Sequence, residues 1–114
     1  MWKPDPSTII TAAMKAAEAQ ATTVELFRVA IQSHVDMVAS SRRYDSGNSL
    51  ASYVASGNAQ WAAEAQAFVG WRDAVWIHAY AELDKVLAGE RQQPTVEAFL
   101  AELPFIEWPA EASA

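Results

Sequence analysis

Apolar residues return every seven positions at Ile10, Ala17, Val24, Ile31 and Val38, and Met14, Ala21 and Val35 follow three of them by four. Ala13 and Phe27 widen this stripe, whereas the polar Gln20 narrows it in the second heptad. Such spacing lays one apolar face along a helix. It predicts a long helix over about 8–41, with Ser7 as N-cap behind Pro4 and Pro6. The alanine-rich first half offers little apolar area, so it needs something to pack on if it is to stay helical.

The next elements are set by punctuation. Arg42 to Gly47 reads as a turn, with Asp45 or Ser46 capping a short helix over about 46–55. Gly57-Asn58 then ends one helix and starts another. A second long helix follows over about 59–88 and stops at Gly89, with Gly70 inside it as a mark of close helix contact. After the loop Glu90 to Pro94, Thr95 and Glu97 open a last short helix over about 95–102, which Pro104 stops before an apolar tail, Phe105 to Pro109. There is no alternating strand pattern and no internal repeat. The expected class is all-α: a small helical bundle of two long helices (about 8–41 and 59–88) and two short ones (about 46–55 and 95–102). The expected organisation is a single domain, 1–114, with an N-terminal helical extension (1–23), a helical body (24–109) and a loose tail (110–114).

Within the 59–88 helix, Trp61, Ala65, Phe68, Val75, Trp76, Ala79, Leu83, Val86 and Leu87 fall on one broad face. Trp71 sits to one side, near Glu64 and Glu82, and Ile77 lies on the polar side. That surplus of apolar surface makes Trp71 or Ile77 a candidate contact for the tail, a neighbouring helix or a second subunit. Arg72 projects from the stripe, where an unpaired guanidinium is costly. The reading is a buried structural ion pair with Asp45, with Asp36 as second choice; binding of a ligand carboxylate or phosphate is the alternative, and snorkelling along the stem another.

Composition narrows the function classes. A formal net charge of −6 with scattered basic residues argues against phosphate-driven nucleic-acid binding. No stretch approaches the roughly 18 apolar residues of a membrane span. Met1 to Pro6 carries charges and prolines where a signal peptide needs an apolar run, so no membrane partner is expected and the cytoplasm is the default compartment. The absence of cysteine excludes thiolate metal sites. His34 and His78 lie on different long helices without a second ligand at helical spacing, which leaves metal binding without support. The carboxylates and turn serines lack a paired base, and no glycine-rich phosphate loop occurs. The expectation is no enzyme, no cofactor and no metal; His78 with Asp73 or Asp84 ranks last as a catalytic pair. Five tryptophans point instead to packing and protein contacts. Trp2 and Trp108, near the termini, could each dock on the body or on a partner.

A chain of short motifs resembles a small family encoded by tailed bacteriophages. It runs Arg43-Tyr44-Asp45-Ser46, Ala51-Ser52-Tyr53, Ala63-Glu64-Ala65-Gln66-Ala67-Phe68 and Trp71-Arg72-Asp73-Ala74-Val75-Trp76. It continues through Ala88-Gly89, Pro94-Thr95, Leu103-Pro104 and Trp108-Pro109, covering roughly Val35 to Pro109. The resemblance implies a tail or tail-fibre accessory protein with a structural or assembly role, located in the virion tail or in the host cytoplasm during assembly. It implies no catalytic residues; Tyr44, Asp45, Tyr53, Glu64, Trp71, Arg72, Asp73 and Trp76 carry over only as fold-defining or interface positions. A transient tail assembly chaperone and a small ligand- or host-protein-binding module are the alternatives. The expected partners are a tail or tail-fibre protein and further copies of the chain, joined through the N-terminal helix. Phe27 to Val38 is expected to pack on the second long helix and Ile10 to Ala21 to associate. Ile10, Met14, Ala17, Val24, Trp71 and Trp108 are the candidate interface residues.

Overall fold

A computed structural model describes the backbone of residues 6–110 and the side chains of residues 12–110. Four helices follow in order: α1 (Pro6–Ser40), α2 (Gly47–Ala51), α3 (Ala59–Leu87) and α4 (Val96–Ala101). Among the described residues there is no strand, and the architecture is the all-α bundle of two long and two short helices. No helix among them is long and apolar enough to cross a membrane.

Each boundary has a local cause. Proline is tolerated in a first turn because its missing N–H would be unpaired there anyway, so α1 begins at Pro6, ahead of the expected Ser7 cap. Ser46, Asn58 and Thr95 cap α2, α3 and α4, each accepting a hydrogen bond from the backbone N–H three residues on. Both long helices end in the same double hydrogen-bonded turn. After α3, Gly89 N–H donates to Val86 O and Glu90 N–H to Lys85 O, with Gly89 at φ 75°. After α1, Arg43 N–H donates to Ser40 O and Tyr44 N–H to Ala39 O, with Arg43 at φ 72°. A left-handed residue at this position is what the geometry requires, and glycine is its usual occupant. The short second helix stops at Ala51, earlier than the expected 55.

Phe27, Ile31, Val35 and Ala39 on α1 meet Ala65, Phe68, Trp71, Val75, Ala79 and Leu83 on α3, with Leu50, Phe99 and Leu103 closing the core. The α1 half-stripe from Phe27 to Val38 therefore packs as its periodicity predicts, although the Phe27 ring lies edge-on against Phe99 of α4, 5.3 Å away. Gly47 is the closest approach of α2: a Cβ there would meet Asp36 Oδ1 and Phe68 Cζ at 3.1 Å. The Gly47 N–H donates to that same Asp36 oxygen at 2.8 Å, so α1 caps the start of α2.

The apolar face of α3 is turned from its expected direction towards Trp71. Trp71 is buried and its indole N–H donates to Pro104 O at 2.7 Å, whereas Trp61 is 48% exposed. Trp61 and Leu87 are apolar but sit near the helix ends, where little covers them. With the face so turned, Arg72 falls at its edge, half-buried, and bonds its neighbour Asp73 at 3.1 Å. The expected Arg72–Asp45 pair does not form. Tyr44, beside Asp45, lies level with Glu64, which is about 12 Å along the helix from Arg72 at roughly 1.5 Å per residue. Asp36, the other candidate, is engaged by Gly47 and by Gln32.

Candidate functional site

Two features of the surface are not accounted for by the core. The first is the N-terminal part of α1. Residues 12–22 are exposed without exception, Met14, Ala17 and Ala21 among them. The end of α3 and the following loop approach this stretch, where Val86, Leu87 and Gln93 border Ala19, Gln20 and Thr23. The Cα radius of gyration is 20.1 Å, against about 13 Å for a compact chain of this length. An arm of α1 thus stands off the body. Val24 is half-buried and marks where the arm joins it. The side chain of Ile10, and Trp2 altogether, lie outside the described residues.

The second feature is a pocket of about 310 Å³ at the opposite pole, bounded by Arg42, Arg43, Tyr44, Tyr53, Trp61 and Glu64. Glu64 is the one buried charged residue among those described, 7% exposed. Its two polar contacts are both long: the Tyr44 hydroxyl at 3.5 Å and an Arg42 nitrogen at 3.6 Å. Arg42 also lies over the Trp108 ring, 4.7 Å from its centroid. The Tyr44 and Tyr53 rings are 5.6 Å apart, and Trp61 stands edge-on to Tyr53 at 5.7 Å. Burial, with the adjacent Glu64 charge, raises the Tyr44 phenol above its ordinary pKa.

Of the candidate interface residues, Met14 and Ala17 lie exposed on the arm and Val24 lies at its root. Trp71 and Trp108 do not join them. Trp71 is a core residue between Phe68 and the His34 ring, and Trp108 docks half-buried on the body through Arg42. Glu64, Arg42 and Trp61 form the pocket instead. Their signal in the sequence is weak, because the partners come from the turn after α1, from α3 and from the tail.

A third cluster has a structural role. Arg91 binds Glu102 with two nitrogens, at 2.8 and 2.7 Å, and Glu82 at 2.8 Å, tying the loop before α4 to both α3 and the end of α4. His78 Nε2 lies 2.9 Å from the same Glu102, so its carboxylate partner is neither Asp73 nor Asp84. Hydrogen bonds from Arg91, joined by His78, hold the Glu102 carboxyl well down, at about 2. Among the described residues, no group of three or more His, Asp or Glu side chains is placed to hold a metal ion. Comparison with protein-family models, curated proteins and solved structures finds no match.

Proposed function

We propose that this chain is an assembly protein acting through protein–protein contacts, with the α1 arm pairing with the same arm of a second copy. The exposed run over residues 12–22 carries this reading. An isolated helix of that length is marginal in water, so a partner helix supplies the packing that the body does not. Antiparallel pairing suits the residues: with Met14 of one copy over Ala17 of the other, a large side chain meets a small one twice. The motif resemblance implies the setting, the tail or tail fibre of a tailed bacteriophage, either in the virion or in the host cytoplasm during assembly. A ligand- or host-protein-binding module is the second reading, favoured by the aromatic pocket around Glu64.

The test is solution mass by light scattering on the full chain and on a Met14→Glu, Ala17→Glu variant. The full chain should be oligomeric and the variant monomeric, with the thermal transition of the body unchanged. A wild-type chain that stays monomeric would remove self-pairing and turn attention to a transient chaperone with a heterologous partner. An oligomer that survives both charges would place the interface off the arm.

A further inference from the structure

The pocket around Glu64 has chemistry that neither the core nor the arm uses. A carboxylate offers about four lone-pair positions. When buried, it is normally held by charge-assisted bonds of about 2.7–2.9 Å. Among the described residues Glu64 has two polar contacts, both long, at 3.5 and 3.6 Å. Arg42 also lies over the face of Trp108 and reaches the carboxylate only at 3.6 Å. Around it stand three aromatic rings, Tyr44, Tyr53 and Trp61, whose electron-rich faces attract a cation. Trp61 is half exposed at this rim, with Tyr53 its one ring contact among the described residues.

We propose that this pocket binds an alkylammonium group, the side chain of a lysine on a partner protein. The apolar stem lies against the rings and the –NH₃⁺ reaches Glu64, donating the short hydrogen bonds that Arg42 does not make. A quaternary ammonium would enjoy the rings but has no hydrogen to donate, which leaves the carboxylate unserved. An anion drawn by Arg42 and Arg43 would face Glu64 across the same cavity. The net charge of −6 favours approach of a cation at long range, and at the pocket the bonds to Glu64 must outweigh repulsion from Arg42 and Arg43. This assignment stands on the pocket alone and is independent of how the arm pairs.

The experiment is an NMR titration of the full chain, following the Trp61 indole N–H and the Tyr44 and Tyr53 ring signals. The probe is lysine capped at both backbone ends; capped norleucine, tetramethylammonium and acetate serve as comparisons. Capped lysine should give saturable shifts at all three residues, tetramethylammonium weaker ones, and norleucine and acetate none. Trp61→Ala, at a half-exposed position, should lose the saturable response of the two tyrosines while keeping the thermal transition. Glu64→Gln should lose it too. Three results would each overturn the assignment: no saturable shift at millimolar lysine, an equal response to norleucine, or a stronger response to acetate. Tighter binding of tetramethylammonium would overturn the lysine in favour of a free quaternary ammonium compound.

Discussion

Arg43 holds the left-handed position that ends α1, the position Gly89 holds after α3. A side chain there crowds its own carbonyl, costing roughly 1–2 kcal/mol, part of which glycine returns through its greater unfolded freedom. Arg43→Gly should therefore raise stability, by about 0.5–1 kcal/mol in a denaturant melt. Arg42, one residue earlier, behaves differently. Among the described residues it supplies the one cation paired with Glu64, and it is a platform for Trp108. Removing one partner of a fully buried pair costs about 3–5 kcal/mol. With the Arg42 side chain 30% exposed, Arg42→Ala should cost less, about 2 kcal/mol. Arg72→Ala should cost under about 1 kcal/mol, because its exposed neighbour Asp73 can be rehydrated. Equal losses for the two arginines in parallel thermal melts would contradict the assignment of roles.

At the scale of elements, α4 is secured to α3 by charge as well as by Phe99. Glu102 has a folded pKa of about 2, below its ordinary 4.5, chiefly through hydrogen bonds from Arg91. Such a group contributes stability that is fully present above its unfolded pKa and is lost as the pH falls through the folded one. Stability should decline between about pH 4.5 and 2, and Glu102→Gln should flatten that limb, as circular dichroism melts across this range would read. The element boundaries were largely legible beforehand, since Ser46, Asn58, Thr95 and Gly89 each act within a few residues of chain. The left-handed turn at Arg43 was not, because no glycine marks it. The early stop of α2 has a local cause that composition hides: Ser52 Oγ donates to Ser49 O at 2.6 Å, one of the bonds by which serine competes with helix. The direction of the α3 face departs from its periodicity for a different reason. Periodicity counts every apolar residue equally, yet Trp61 and Leu87 lie near the helix ends and stay exposed. The Arg42–Glu64 contact joins the turn after α1 to α3, and no spacing rule within one helix could disclose it.

For the molecule as a whole, the arm and the pocket lie at opposite ends of one long helix. At roughly 1.5 Å per residue, the 35 residues of α1 span about 52 Å. Paired arms would hold two bodies apart, each with its pocket facing outward, so the oligomer that light scattering should detect would be bivalent for whatever the pockets hold. The docked tail adds something else. Through the Trp71–Pro104 bond and the Arg42–Trp108 contact, the chain returns to the far end of α1 from the arm. A pull between the arm and the tail would therefore run along the axis of α1. The indole bond and the ring-stacked guanidinium would take that force as the tail's two rivets.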